Sequence, residues 1–309
     1  MKRLTLNLVF ALLACLSTLA QDATTTTTYT FETVNYPNDT FTQLLGINNK
    51  GVIAGYHGAS ANKGFTLVLP NIFTNENFTN SAQTQVTGIN DRNGMPKTVG
   101  FYIDSKNHTH GFQLTDGVFA NVDFPGEPFN QLLGVNNKQQ AAGYYSTNAA
   151  GSVPDHAYIY DECGNAACTV GVFELLVIPD SNGGAQATGI NDAGNVCGFY
   201  IDNSGVMHGF LLVQGTLTTL NFPGSSVTAT AALGLNNAGR VVGNYTDSAG
   251  SHGFVYTISK KSWESIDDPE GVVGGMQTTI VNGINDKNVL VGFYGNAPIN
   301  SGFVATPSN

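Results

Sequence analysis

Gly189-Ile190-Asn191-Asp192-Ala193-Gly194-Asn195-Val196-Cys197-Gly198-Phe199-Tyr200, followed after a loop by His208-Gly209-Phe210-Leu211, is the stretch on which the fold turns. The same order of residue types begins at Gly46, Gly88, Gly134, Gly234 and Gly283, so six units run through the chain at intervals of 42, 46, 55, 45 and 49 residues. All six have Asn two residues after that Gly: Asn48, Asn90, Asn136, Asn191, Asn236 and Asn285. All six have a second Gly further on: Gly55, Gly100, Gly143, Gly198, Gly243 and Gly292. In five units Tyr follows two places later (Tyr102, Tyr145, Tyr200, Tyr245, Tyr294). An aromatic then opens the next apolar segment each time, at Phe65, Phe112, Tyr158, Phe210, Phe254 and Phe303. Self-similarity at this period marks a repeat architecture, in which each unit buries its apolar face against its neighbours.

Each unit divides into four short strands. Strand A runs into the Gly-(Ile/Val/Leu)-Asn signature and ends in an Asx-rich turn such as Asn236-Asn237-Ala238-Gly239. Strand B is the Val-Val-Gly-x-Tyr segment, strand C the His-Gly-Phe segment, and strand D often ends in Phe-Pro-Gly, as at Phe124-Pro125-Gly126. Four strands in roughly 40–50 residues is the period of a propeller blade. The expected fold is therefore all-β: a six-bladed β-propeller of four-stranded blades. The ordered chain opens on Phe31-Glu32-Thr33-Val34-Asn35-Tyr36-Pro37, which matches strand D, and closes on Gly302-Phe303-Val304-Ala305, which matches strand C. The N-terminal strand is thus expected to complete the last blade, which hides sheet edges and holds the ring shut. The long interval has its extra residues at 162–170, in a C–D turn where an insertion disturbs no core contact.

The Gly-Ile-Asn-Asp-x-x-Gly-x-Val-x-Gly motif, with His-Gly-Phe where a His-Ala-Phe would stand, resembles the probable extracellular repeat proteins of the HAF family. His156-Ala157-Tyr158 is the nearest single copy. The likeness spans nearly the whole mature chain. It implies a repeat fold outside the cell, and it implies no activity.

Composition agrees with short strands and tight turns. Charged residues are 11 % of the 309, against roughly 25 % in ordinary soluble domains, and there are 37 glycines. The formal charge of −10 leaves no basic footprint for nucleic acid or anionic membranes. Residues 1–20 read as a signal peptide: Lys2 and Arg3, an apolar stretch too short to cross a bilayer, and small residues before Gln21. Residues 21–28 read as a Thr-rich linker, and 29–309 as the repeat domain. Leu12-Leu13-Ala14-Cys15 also resembles a lipobox, which would leave a lipid anchor on Cys15. No transmembrane span is expected. Cys163 and Cys168 flank a short tip, where a local disulfide is the reading for an oxidising compartment. Cys197 stands where other units have Val or Ala, as a small buried hydrophobe.

Candidate functional residues are weighed against structural readings. His110, His156, His208 and His252 recur at the start of strand C. That strand is third from the axis, with strands about 4.8 Å apart. Imidazoles from different blades therefore cannot converge on one ion with Zn–N bonds of about 2.1 Å. They read as structural hydrogen-bonding groups between strands or blades, and the recurrent asparagines read as structural positions of the repeat. The Asn-Asp-x-x-Gly turns offer at most one Asp each, too few for calcium, and read as Asx turns. No metal and no cofactor is expected. There is no nucleophile elbow, no His-Glu-x-x-His and no phosphate loop. What varies is the D–A loops (126–130, 180–185, 224–230, 270–277) and the B–C loops (104–109, 146–155, 247–251), which share one face. On that face Tyr36, Asp104, Phe129, Asn130, Asp155, Asp180, Asn182, Asp247 and Glu270 are the candidate ligand-binding residues. A divergent loop face on an invariant frame is the form of a binding scaffold. The expected function is a secreted, non-enzymatic protein that binds a glycan, cell-wall component or protein. Alternatives are a structural or adhesive surface protein, and a lyase or glycosidase at the channel mouth with two carboxylates about 5–10 Å apart.

Overall fold

The computed structural model describes residues 27–308, apart from 93, 152–153, 163–170, 182–183 and 297. The signal peptide, most of the linker, Cys15, Cys163, Cys168 and Asn182 therefore lie outside the described residues. What is described is all β: 26 strands and no helix. The fold is a β-propeller.

The same antiparallel ladder, A–B–C–D, forms in every repeat. In the first unit it joins Thr42–Ile47, Val52–His57, Lys63–Val68 and Ile72–Asn75. In the fourth it joins Ala185–Ile190, Val196–Ile201, Met207–Val213 and Thr216–Leu220. The last unit takes its fourth strand from the start of the domain: Tyr29–Val34 pairs antiparallel with Ile299–Pro307, Phe31 opposite Ala305. The N-terminal closure expected from the two termini is thus present.

The sheets are not six separate blades. The strands group into five hydrogen-bonded sheets, three of four strands, one of eight and one of six. The cause is local. Where strand C of one unit starts beside strand A of the next, a parallel bridge forms. Thr109 pairs with Phe129, joining the second and third units, and Gly250 and Ser251 pair with Gln277 and Thr278, adding two short strands to the fifth. Phe41 bridges Asn300 in the same way across the closure.

Strand A lines the axis and carries one bulge in every unit. Its register slips between Leu44 and Gly46, and at the equivalent place in each other unit. The extra residue (Leu45, Thr87, Leu133, Thr188, Leu233 or Asn282) lines the channel. The bulge also explains the two signature glycines. A Cβ on Gly88 would meet the Cα of Gly134 at 3.0 Å, and one on Gly134 would meet that of Gly189 at 3.0 Å, as the first strands crowd the axis. A Cβ on the second glycine would strike the carbonyl oxygen of strand A across the bulge, at Gly243 that of Ala231.

Further out, apolar side chains of neighbouring units interlock. Phe210, Val196 and Ala187 of the fourth unit pack with Ala142 and Ala157 of the third. Cys197 is free and fully buried, beside Leu211 and Val241, and burial pushes its thiol up to about 12.

Candidate functional site

The two ends of the ring are built differently. At the A–B end the six recurrent asparagines form a closed circle. Asn48 Nδ2 donates to the carbonyl of Asn90, Asn90 to Asn136, Asn136 to Asn191, Asn191 to Asn236, Asn236 to Asn285 and Asn285 back to Asn48, at 2.9–3.1 Å. Each Oδ1 meanwhile accepts backbone N–H groups of its own turn, as Asn191 does from Ala193 and Asn195. All six are buried. They are the seam of the ring.

A second circle lies over the first, made of the next residue in each unit: Asn49, Asp91, Asn137, Asp192, Asn237 and Asp286. Each backbone N–H donates to the side-chain Oδ1 of the next, at 2.6–2.8 Å. Amide and carboxylate alternate. The second oxygen of each carboxylate takes the Nδ2 of a neighbouring Asn, as Asp192 does from Asn137 and Asn237. The channel-lining residues alternate in the same rhythm, Leu in odd units and Thr, Thr, Asn in even ones. The structural period is therefore a pair of units, three times over. This is visible in the sequence as Leu-Gly-x-Asn-Asn against (Thr/Asn)-Gly-Ile-Asn-Asp, a contrast that reading each unit against one consensus misses. Every carboxylate oxygen of this ring is engaged, which leaves none free for an acid/base dyad.

At the opposite end the framework repeats but its decoration does not. A residue at the start of strand A caps the D–A loop in five units: Thr42, Thr84, Asn130, Thr230 and Thr279, the last just before its strand, accept the N–H of Tyr36, Phe78, Phe124, Phe222 and Asp268. The loop aromatic then stacks on a ring of the next unit's strand B. Phe78 lies on Tyr102, Phe124 on Tyr145, Phe222 on Tyr245, and Tyr36 on His57, with centroids 3.5–4.1 Å apart. On strand C, His110, His156, His208 and His252 pair across the ladder with Tyr102, Tyr145, Tyr200 and Tyr245, rings 4.8–5.3 Å apart.

Three of these imidazoles are clamped between two side chains, and among the described contacts only His208 is hydrogen-bonded at both nitrogens. Nδ1 faces a side chain just past the end of strand D at 2.8–2.9 Å: Asp123 for His110, Asn221 for His208, Asp267 for His252. Nε2 faces the B–C loop Asp: Asp104 at 3.7 Å, Asp202 at 3.1 Å and Asp247 at 3.3 Å. The loop aspartates are fixed by their own turns, since Asp104 Oδ1 accepts N–H from Lys106 and His108, and Asp202 Oδ1 from Ser204 and Val206. The N–H of His108, foremost, holds the Asp104 carboxyl below the ordinary carboxylate value, and that of Val206 does the same for Asp202.

The candidates on this face separate accordingly. Asp104 and Asp247 belong to the clamps. Phe129 is buried, its ring 5.8 Å from Tyr144, and Tyr36 is half-buried under His57 with its hydroxyl on Asn75. Neither is an exposed platform for a sugar, because Tyr36 in its D–A loop stacks on His57 and Phe129 sits where strand A enters the core. Asn130 is the buried loop cap just described. Asp155 is buried too, its Oδ2 taking Gln186 Nε2 at 2.6 Å, and burial raises its carboxyl. Asp180 is exposed at a left-handed turn position, φ 61°. Glu270 is exposed and accepts from Tyr294 and Thr33.

Two features of the face were not singled out from sequence. One is a cleft of about 180 Å³ between the fourth and fifth units, lined by Met207, His208, Asn221, Phe222, Val227 and Thr230 among others. The other is a group of three potential metal ligands, Asp104, His108 and His110, all within 4.8 Å of one another. The argument that histidines of different blades cannot converge still applies. This group arises within one unit, from the B–C loop and the start of strand C, and its signal was the His-x-His whose period of two sets both imidazoles to one side.

No family model and no curated protein sequence matches the chain, so the likeness to HAF repeats rests on the motif alone. Solved structures do resemble it. SapL1 lectin, determined with α-methyl fucoside, is 10 % identical, with 85 % of this chain and 90 % of that one covered and a TM-score of 0.51. The Aleuria aurantia lectin, described as a six-bladed β-propeller with a novel fucose recognition mode, is 10 % identical over 85 % and 92 % of the chains, TM-score 0.49. AofleA from Arthrobotrys oligospora is 11 % identical over 88 % of each, TM-score 0.49. At such identity the likeness speaks for the propeller fold alone. Among the described residues no helix is long and apolar enough to cross a membrane.

Proposed function

We propose that this is a secreted, non-enzymatic glycan-binding protein whose six units act as six blades and present sugar sites between blades on the D–A and B–C loop face. The observation that carries the reading is the cleft at His208. A sugar ring needs polar groups held at fixed positions beside an apolar surface, and this cleft supplies both. The imidazole is set between Asn221 and Asp202, and Met207, Val227 and Phe222 form the apolar wall. At about 180 Å³ it is smaller than the roughly 300–1,000 Å³ of pockets for drug-sized ligands, which suits one residue of a glycan. The fucose ligand of the SapL1 lectin structure makes deoxy sugars the first compounds to try. Secretion is supported by the N-terminal leader pattern.

Absence of catalysis rests on chemistry. The residues lining the cleft include no carboxylate, and Asp202 behind His208 has Oδ1 on two backbone N–H groups and Oδ2 on the imidazole, which leaves it no free oxygen for an acid/base role. The test is a glycan array followed by calorimetry with the best sugar. Asn221→Ala, an exposed position, is expected to weaken binding at least tenfold while leaving the melting temperature unchanged. An array without a hit, or a sugar bound equally by wild type and Asn221→Ala, sinks the reading.

A further inference from the structure

We infer that Asp104, His108 and His110 form a binding site for one divalent transition-metal ion of the zinc type. The site is independent of the sugar cleft and lies on another unit.

The geometry is that of ligands around an ion, not of groups bonded to each other. Asp104 Oδ2 stands 3.5 Å from His108 Nδ1 and 3.7 Å from His110 Nε2, beyond good hydrogen-bond range. Tetrahedral zinc with bonds of about 2.0–2.1 Å spaces its ligand atoms about 3.3–3.4 Å apart, so a small adjustment seats the ion. Each ligand is also oriented in advance. Asp104 Oδ1 is occupied by two turn N–H groups, which leaves Oδ2 as the free oxygen aimed at both rings. His110 Nδ1 is 2.8 Å from Asp123 Oδ2, an arrangement that places the proton on Nδ1 and turns Nε2 toward the site. Two imidazoles and one carboxylate suit zinc, and calcium would require six to eight oxygens. With three protein ligands at a partly exposed position, the fourth place is open to water or to a ligand donor atom.

The fourth unit is a built-in control. Its loop has the same turn and the same clamp, Asp202 with His208 and Asn221, but Val206 stands where the second unit has His108. There the carboxylate closes onto Nε2 at 3.1 Å, as an ordinary hydrogen bond, and no third ligand exists among the described residues.

The experiment is calorimetric titration of the purified full-length mature protein with zinc chloride in a non-chelating buffer, with metal content checked after dialysis. Wild type is expected to take up one equivalent. His108→Val, which copies the fourth unit at a half-exposed position, is expected to lose at least tenfold in affinity without a change in melting temperature. Asp123→Asn, which alters only the orienting partner, is expected to weaken zinc by about 10–100-fold. A Cys163→Ser/Cys168→Ser variant is expected to bind as wild type does. No uptake by wild type, equal uptake by His108→Val, or loss of uptake only in the cysteine variant overturns the site. Sugar binding is read separately on the array, so failure of one proposal does not imply failure of the other.

Discussion

The two ends of the ring use the same residue types to opposite effect. At the A–B end, Asn and Asp side chains answer one another around the whole circle, and each donor meets an acceptor on the next unit. At the loop end, Asp, Asn and His are held by turn N–H groups or by a single neighbouring side chain, as Asp202 is by its turn, His208 by Asn221 and Asp155 by Gln186, and no such circle closes among the described residues. Closed reciprocity between units leaves no capacity for an outside ligand. Pairing with one neighbour leaves groups held in place with an edge still open. Repetition thus marks the seam, and departures from repetition mark the candidate sites, at His208 and at His108.

Breaking the seam is expected to have the largest effect. Asn236→Ala removes Nδ2 from the carbonyl of Asn285 and Oδ1 from the N–H of Arg240, both at 2.9 Å and at a buried position. An orphaned buried group costs about 1–3 kcal/mol, so chemical denaturation should show a loss of roughly 2–5 kcal/mol. A loss below about 1 kcal/mol would mean that water replaces the amide and that the circle does not hold the ring. The alternation in the outer circle is a finer test. Asp192→Asn sets an amide N–H₂ against the Nδ2 groups of Asn137 and Asn237, which now share one carboxylate. That site is exposed to solvent, so a loss of about 1 kcal/mol is expected. Sugar and zinc binding at the other end should not change in either variant.

How far this was legible in the sequence follows from the same contrast. Unit boundaries, strand positions and the closing N-terminal strand were readable because glycines, the Asn and the aromatics recur at fixed offsets. The rhythm of two was also written in the chain, at Leu45 and Thr87 or Asn49 and Asp91. It acquires meaning only once the bulge is known to send the residue before the signature Gly into the channel. The merging of sheets at Thr109 and Phe129 was not readable, because a backbone bridge leaves no trace in side-chain pattern. Tyr36 and Phe129 illustrate the converse: both look like loop aromatics free to meet a sugar, yet one stacks on His57 and the other is covered in the core. Which way a loop residue or a residue opening a strand faces depends on the neighbouring unit, and no spacing within its own unit reports that.

Asp155 gives the smallest and most specific difference between the ends, since it is a loop-face carboxylate that is buried and takes no part in a clamp. It is buried, and its Oδ1 has no hydrogen-bond partner among the described residues. Burial raises its carboxyl above the ordinary carboxylate value, about 3.9 in unfolded chains. With the folded value above the unfolded one, the native state binds the proton more tightly. The stability this group contributes is therefore complete below the unfolded value and is lost as pH rises through the folded one. Glu76 and Asp268, raised by burial as well, tilt the wild-type curve the same way, so the informative quantity is a difference. Asp155→Asn cannot titrate and keeps an oxygen for Gln186. The variant's stability relative to wild type should thus increase from mildly acidic to neutral pH, by less than the effect of either ring substitution. Denaturation series at several pH values measure it directly. A difference independent of pH would mean that the carboxylate finds a proton donor or water at neutral pH, and that this end of the ring is better solvated than its burial implies.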